Sequence, residues 1–163
     1  MRMASEFAVV PIGVVRSAAD APVDDVWGGA ICRVELDAAR FTSKALAGLE
    51  EFSHVEIVFV FDRLKESDIE YGARHPRGRK DWPVTGIFAQ RGKNRPNRLG
   101  VTVCRLTAVS DSWIEVEGLD AIDGTPVLDI KPYMREFAPK GDVRQPAWAS
   151  ELMAHYWDPP DRN

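Results

Sequence analysis

Positively charged side chains are concentrated in a short segment between two apolar stretches of strand character, Val84–Ala89 and Leu99–Leu106. The four charges are Arg91, Lys93, Arg95 and Arg98. Charges of one sign at this spacing repel one another unless an anion lies among them. Pro96 presets one backbone angle and Asn97 tolerates the left-handed conformation, so the pair predicts a tight turn. The pattern favours a rigid site for a carboxylate or a phosphate. A solvated basic hairpin is the alternative that these residues leave open.

A second polar group follows the turn at Asp123-Gly124. Asp129, Lys131 and Tyr133 alternate with apolar residues, as on a strand. A carboxylate here can accept a proton or hold an NH group, and an aromatic ring can face a cation. An ordinary strand edge with alternating polar residues is the other interpretation. His54, at the start of the most apolar strand pattern, either lines a pocket or makes a structural hydrogen bond.

The charge of the chain is unevenly distributed. Residues 74–105 hold nine of the 21 Lys and Arg residues and one of the 25 Asp and Glu residues. This stretch therefore carries +8 and the remainder −12, within a net charge of −4. An acidic body with one basic stretch indicates local contact with a polyanion. The proposed phosphate contacts lie in the polar loop predicted over Asp62–Trp82, and they are Arg74, Arg77, Arg79 and Lys80.

Two long motifs in this order resemble those of the TsaA/TrmO family. The first spans Gly86–Gly100 and reads GIFA-x-R-x3-RPN-x2-G, and the second spans Asp123–Tyr133 and reads DGTPVLDIKPY. The resemblance starts near Pro11 and covers roughly residues 9–135. Members of the family are small β-barrel methyltransferases that use S-adenosylmethionine. Where many members have Arg-Ser-Pro in the basic segment, this chain has Arg91-Gly92-Lys93, so its methyl acceptor is the least specified feature.

The resemblance implies a role for each of these residues. The cofactor site is expected to comprise Arg91, Arg95, Asn97, Gly100, Phe88 and His54. The residues expected at the reacting groups are Asp129, Tyr133 and Lys131. The implied acceptor is N6 of the threonylcarbamoyl-modified adenosine next to the anticodon of tRNA, and the implied assembly is a homodimer with the cofactor held against the partner. A methyltransferase acting on a small metabolite and a non-catalytic nucleotide- or anion-binding module remain as alternatives.

Short strand patterns dominate the chain, so it is predicted to be mainly β, as a barrel or a sandwich. The predicted strands are Phe7–Arg16, Ala30–Leu36, Ser53–Phe61, Val84–Ala89, Leu99–Val109, Trp113–Leu119 and Pro126–Ile130. Two helices are predicted, one over Phe41–Leu49 and a C-terminal one over Gln145–Trp157. With the resemblance, this becomes a single domain over residues 1–163, built as a small barrel.

Other classes of function lack their sequence signatures. The chain has no HxH, HExxH or clustered Cys/His pattern, so no metal is expected, and it has no GxSxG. Its two cysteines, Cys32 and Cys104, are far apart in sequence and favour a reducing cytoplasm. The apolar run Phe7–Val15 is short and contains proline, which indicates a strand and not a signal peptide. No membrane span is expected.

Overall fold

The computed structural model describes residues 6–160 of the chain. Its strands are β1 (Gly13–Arg16), β2 (Ile31–Leu36), β3 (His54–Val60), β4 (Ala73–Arg74), β5 (Thr85–Gly86), β6 (Leu99–Val109), β7 (Trp113–Glu117) and β8 (Pro126–Pro132). Six of them close into a barrel in the order β1-β2-β7-β6-β3-β8, with every neighbouring pair antiparallel. The predicted mainly-β barrel is therefore confirmed. The single domain predicted over residues 1–163 stays a prediction, since residues 1–5 and 161–163 lie outside the described range.

Alternate side chains of each strand fill the barrel, as the period of two requires. On β3 the inward side chains are Val55, Ile57 and Phe59, all at most 1% exposed. Cys32 and Cys104 also point into this core, and both thiols are free. Burial raises the pKa of Cys104 to about 12, so this thiol stays protonated and acts as a small apolar side chain.

The structure corrects both helix predictions. Residues 43–48 form successive turns that lead to a 3-10 turn over Leu49–Glu51. Gly48 lies before that turn with a φ of 87°, a left-handed conformation that stops an α-helix from continuing. The C-terminal helix α1 is present but spans only Ala147–Met153, starting directly after Pro146.

Two of the predicted strands differ most from the structure, and both are much shorter than expected. The strand predicted from Phe7 begins only at Gly13. Of the strand predicted over Val84–Ala89, two residues form β5 and the next three, Ile87–Ala89, form a 3-10 turn. The predicted loop over Asp62–Trp82 contains one short strand, β4. This strand pairs with β5, and the two form a small second sheet.

Two strands of the barrel, β6 and β8, are paired along only part of their length on one side. β3 pairs with residues 99–105 of β6, whereas β7 pairs only with residues 105–109. Among residues 6–160, the first half of β6 therefore has no strand on the side facing away from β3. The side of β8 that faces β1 is likewise paired only at Pro126 and Val127. Within residues 6–160, no helix is both long and apolar enough to cross a membrane.

Candidate functional site

The basic segment leads into β6 through the tight turn predicted at Pro96-Asn97, and the structure confirms that turn. Asn97 has a φ of 65° and Arg98 a φ of 53°, so two consecutive residues other than glycine are left-handed. This conformation costs a non-glycine residue about 1–2 kcal/mol. This cost is offset by bonds to an earlier part of the chain, because the Arg98 carbonyl accepts a hydrogen bond from the Phe61 amide at 2.9 Å and the Arg98 guanidinium donates to the Leu64 carbonyl at 2.9 Å.

The guanidinium groups of the segment are held by main-chain carbonyls. Arg91 donates to the Val101 carbonyl at 2.6 Å, and Arg95 donates to the Gln90 carbonyl at 3.0 Å. Within residues 6–160, neither arginine, nor Lys93, nor Arg98 has a carboxylate within 4.0 Å. Main-chain carbonyls therefore hold Arg91 and Arg95 in place without neutralising their positive charge. A cluster of positive charges of this kind favours an anionic ligand.

Gln90 organises the approach to this segment, and the sequence analysis missed it. Its side chain is 7% exposed and donates to the carbonyls of Thr85 at 2.9 Å and Arg74 at 3.1 Å. The neighbouring turn buries Ile87 and leaves Phe88 77% exposed. No pattern in the sequence distinguishes this buried amide from a surface one. An exposed phenylalanine beside unneutralised arginines is a surface suited to a ligand or a partner.

Asp129 and Lys131 form an ion pair on β8, with 2.6 Å between the carboxylate oxygen and Nζ. The side chains are 46% and 61% exposed, so the pair faces solvent. The Asp129 carboxylate raises the pKa of Lys131 above its usual value, so Lys131 is fully charged at neutral pH. Tyr133 lies two residues after Lys131, directly beyond the end of β8, and its amide donates to the His54 carbonyl at 2.9 Å. The His54 ring is bonded to the Ser53 hydroxyl at 2.8 Å.

Strand register brings the basic segment and the acid of β8 onto the same three strands. Val58 on β3 lies opposite Val101 on one side and opposite Asp129 on the other. Strands are spaced by about 4.8 Å, so the backbones of Val101 and Asp129 are about 10 Å apart. The Val101 carbonyl is the one that holds Arg91. The two groups that the sequence analysis predicted separately are thus neighbours across one face of the barrel.

Asp129 also borders an apolar groove beside the unpaired side of β8. The groove has a volume of about 530 Å³, within the range usual for pockets that bind small molecules. Its lining is apolar except for Asp129, and it is contributed by the segment of residues 41–52 together with Ile12, Leu36, Ile130 and Pro132. The segment mispredicted as a helix therefore forms one wall of the groove.

The four cations predicted to contact phosphates are not equivalent. Arg77 makes a bidentate ion pair with Asp25, both bonds at 2.9 Å, and Arg79 pairs with Asp81. Arg74 donates to the Asn94 side chain at 3.3 Å. Lys80 is exposed and, in the part of the chain that the structure describes, has no carboxylate within 4.0 Å. Within this group, Lys80 is the cation whose charge is most available to an RNA backbone.

Gly100 has a packing role that its place in the predicted cofactor site did not suggest. A Cβ atom there would lie 2.4 Å from two ring carbons of Phe59 in the barrel core. We expect Gly100→Ala to lower the free energy of unfolding by about 1–3 kcal/mol, because overpacking forces the ring to move. Urea denaturation measures this. The matched control is Gly86→Ala, since Gly86 has a φ of −59° and no atom within 4 Å of the added methyl group. Equal stability of the two variants would contradict the packing role.

Residues 6–160 contain no group of three or more His, Cys, Asp or Glu side chains that could hold a metal ion. They do contain a polar cluster that the sequence analysis missed. Asp120 accepts hydrogen bonds from the hydroxyls of Thr102 and Tyr156. Tyr156 is 36 residues further along the chain, and no motif links it to Asp120.

Comparison with known proteins identifies the family. The profile of the tRNA-methyltransferase O N-terminal domain matches residues 15–138. The chain belongs to this family. A crystal structure of TrmO from Pseudomonas aeruginosa superimposes with a TM-score of 0.71 at 30% identity, covering 90% of this chain and 63% of that one. The barrel is thus the tRNA-methyltransferase O N-terminal fold.

Curated relatives of the tRNA-methyltransferase O family share the same region. A mouse protein named tRNA (adenine(37)-N6)-methyltransferase is 37% identical over 134 residues, which are 78% of this chain and 31% of the relative. The Escherichia coli protein of that name is 43% identical over 94 residues, 55% of this chain and 40% of the relative. A probable S-adenosyl-L-methionine-binding protein of Pyrococcus abyssi is 33% identical over 142 residues, 82% and 72% of the two chains. The chain spans about a third of the length of the mouse relative.

Proposed function

We propose that this chain is an S-adenosylmethionine-dependent methyltransferase that modifies N6 of the threonylcarbamoyl-adenosine next to the anticodon of tRNA. The names of the curated relatives support the reaction and the nucleic acid. The observation that carries the proposal is the placement of two groups on one face of β6, β3 and β8. One is a set of arginines without carboxylate partners, and the other is the Asp129–Lys131 pair. The activity belongs in the cytoplasm, where tRNA is available.

The residues present fit S-adenosylmethionine by their chemistry. The guanidinium groups of Arg91 and Arg95 suit its carboxylate, because each retains N–H donors beyond the one bonded to a carbonyl. The exposed ring of Phe88 suits the sulfonium, which aromatic faces attract. When bound, the cofactor supplies an electrophilic methyl group attached to positively charged sulfur.

The chain itself positions the acceptor and controls its proton. The Asp129 carboxylate accepts a hydrogen bond from the acceptor NH and takes its proton as the nitrogen is alkylated. Lys131, 2.6 Å away, holds that carboxylate in orientation and stays charged at neutral pH. The apolar groove beside Asp129 excludes water from one side of the reacting nitrogen. Alignment and water exclusion are the main contributions that a protein makes to such a displacement.

We further propose a symmetric homodimer that covers the outer face of β6. Leu99, Val101 and Val103 alternate on this face and are 40%, 36% and 43% exposed, an apolar row unusual on a free strand. A second copy would bury this row and close one side of the site. The C-terminal segment is a weaker candidate for the contact, because it packs on its own barrel through Trp27 and Asp120. A sedimentation mass near 18.2 kDa at micromolar concentration would contradict the dimer.

The salt dependence of tRNA binding tests the basic stretch. Lys80 and Lys93 are exposed and lack carboxylate partners within residues 6–160. Replacing both with Ala should flatten the log–log salt slope of tRNA affinity by about 1.4–1.8, since each phosphate contact contributes about 0.7–0.9. Lys44→Ala with Lys140→Ala is the control, because both lysines lie outside residues 74–105. An unchanged slope in the Lys80 and Lys93 double variant would remove these lysines from the RNA surface.

The whole proposal is tested by turnover. The purified protein, S-adenosylmethionine and tRNA from cells lacking this activity are incubated in EDTA, and the nucleosides are analysed by mass spectrometry. We expect a mass gain of one methyl group on the threonylcarbamoyl-adenosine. Cofactor binding without methylation of tRNA would favour a small-metabolite acceptor. Absence of cofactor binding would favour a non-catalytic anion-binding module.

A further inference from the structure

Arg74, at the end of β4, is half-buried and its guanidinium lies against the basic segment. Its Nη2 atom donates to the side-chain oxygen of Asn94 at 3.3 Å. The same nitrogen is 3.1 Å from the position that a Cβ atom would take at Gly92. Gly92 and Asn94 both belong to the basic segment, so Arg74 adds a fifth positive charge to its four.

Two amide side chains hold Arg74 in this place. Asn94 turns its oxygen toward Arg74, because its own Nδ2 atom donates to the Asp68 carbonyl at 2.8 Å. The Gln90 side chain donates to the main-chain carbonyl of Arg74 at 3.1 Å. The main-chain carbonyl of Gln90 accepts the bond from the Arg95 guanidinium at 3.0 Å. Gln90 therefore connects Arg74 directly to one of the arginines of the proposed cofactor site.

The positive charge of Arg74 is not neutralised by the described part of the chain. Within residues 6–160, no carboxylate lies within 4.0 Å of its guanidinium. Its Nε atom is buried and has no hydrogen-bond partner within that range. A buried N–H group without a partner destabilises a folded chain, more so when it carries charge. An anion bound to the Nη nitrogens would offset that cost through a charge-assisted hydrogen bond.

The surroundings of Arg74 suit a small anion better than the backbone of an RNA. Lys80 and Lys93 are exposed, whereas Arg74 and Arg95 are half-buried and bonded to oxygen atoms of the chain. A guanidinium held in a fixed orientation can present two parallel N–H donors to a carboxylate. Arg74 therefore resembles Arg95 in its environment, and not the exposed lysines.

We propose that Arg74 is a further cofactor-binding residue, a third guanidinium for the carboxylate of S-adenosylmethionine beside Arg91 and Arg95. Gly92 leaves the space that this guanidinium occupies. The proposal deepens the proposed function and rests on it where cofactor affinity is the readout. It also corrects the sequence prediction that Arg74 contacts tRNA phosphates, because its contacts with Asn94 and Gly92 assign it to the basic segment.

A double-mutant cycle tests the assignment, because Gly92→Ala displaces Arg74 without removing its charge. Apart from residues next to it in the chain, the added methyl group would have one neighbour within 4 Å, the Nη2 atom of Arg74. Calorimetry should show S-adenosylmethionine binding weakened by about 10-fold or more in Arg74→Ala, as for a lost charge-assisted hydrogen bond. Gly92→Ala should weaken it by about 2- to 10-fold, the lower part of the range for residues in contact.

In the Arg74→Ala background, Gly92→Ala should have no further effect on cofactor affinity. Gly86→Ala is the matched control, since its methyl group would have no such neighbour within 4 Å. Unfolding in urea is measured alongside to detect any loss of stability. Unchanged affinity in Arg74→Ala, or equal losses from Gly92→Ala with and without Arg74, would overturn the proposal.

The salt dependence of tRNA binding separates this role from a contact with RNA. Arg74→Ala should leave the log–log salt slope of tRNA affinity unchanged, since a residue that binds the cofactor releases no counterion from tRNA. A slope flattened by about 0.7–0.9, the contribution of one phosphate contact, would place Arg74 on the RNA surface and overturn the proposal.

A further measurement needs no cofactor. The Nε–Hε resonance of Arg74 should shift in the NMR spectrum when inorganic sulfate is added at constant ionic strength. The resonance of Arg105, whose guanidinium is 3.6 Å from the Glu117 carboxylate, should stay in place. An unmoved Arg74 resonance would overturn its role in binding an anion. If the wild-type protein binds no S-adenosylmethionine, the proposed function fails, and this titration still decides whether Arg74 binds an anion.

Discussion

Asp129→Asn should lower the rate of methyl transfer by roughly 100-fold or more at saturating substrates, the contribution typical of a positioned proton acceptor. The amide preserves the size of the side chain and removes its ability to take a proton. It also breaks the ion pair with Lys131, whose raised pKa depends on that carboxylate. Single-turnover methylation of tRNA, followed with labelled cofactor, measures the effect. Cofactor affinity should change far less than the rate.

The matched control for Asp129 is Glu56 on β3. Glu56 lies directly opposite Lys131 in the register, so it is an acid on the same face of the barrel. Glu56→Gln removes one negative charge near Lys131 and leaves the Asp129 carboxylate in place. We expect a change of less than about threefold in rate, as for a half-exposed surface charge. A rate for Asp129→Asn as high as that of Glu56→Gln would remove Asp129 from the reaction.

Arg91→Ala should weaken S-adenosylmethionine binding by roughly 10- to 150-fold, which is about 1.5–3 kcal/mol for a lost charge-assisted hydrogen bond. Arg91→Lys should recover only part of the affinity, because an ammonium group does not present two parallel donors to a carboxylate. Calorimetry in EDTA measures both. Unfolding in urea is measured alongside, since the bond from Arg91 to Val101 also supports β6.

Arg105→Ala is the control for the loss of a cation beside β6. Arg105 lies on β6 itself, the strand whose Val101 carbonyl holds Arg91, and its guanidinium is 3.6 Å from the Glu117 carboxylate, so its charge has a partner within the chain. Its removal should leave cofactor affinity within about twofold, because an exposed charge is screened over about 10 Å. A loss as large as that in Arg91→Ala would mean that net charge, and not the position of Arg91, determines binding.

The main strands and the mainly-β class were predictable because alternation along each strand is a local property, whereas the choice of a barrel over a sandwich came from the family resemblance. The sequence did not predict the order of strands, which depends on pairings between residues far apart in the chain. The row Val101, Val58 and Asp129 is the clearest case. Each residue was placed on a strand in advance, and only the register shows that they are neighbours.

The errors in the sequence predictions have particular physical causes. Leu46 and Leu49 have helical spacing, but a left-handed Gly48 lies between them and the segment forms turns. The basic loop was judged by its charges alone. The partner of Arg77 is Asp25, which lies 52 residues earlier in the sequence and close only in the folded chain.

Candidate site residues were easier to find where a motif marks them than where tertiary contacts create them. The arginines of the basic segment and the acid of β8 belong to such motifs. Gln90, Asp120 and Tyr156 gain their roles from burial and from partners on other elements. The composition of the chain and the spacing of its residues do not predict those contacts.

The two thiols inside the barrel allow its opening to be measured by chemical labelling. Cys32 and Cys104 are 2% and 1% exposed and lie on β2 and β6, on either side of β7. A thiol-reactive reagent reaches them only when the strands separate, so the labelling rate reports how often the native barrel opens. The labelling rate therefore measures opening of the barrel without any probe added to the sequence. A substitution that destabilises the barrel should raise this rate, whereas one that disables the site and leaves the barrel closed should not.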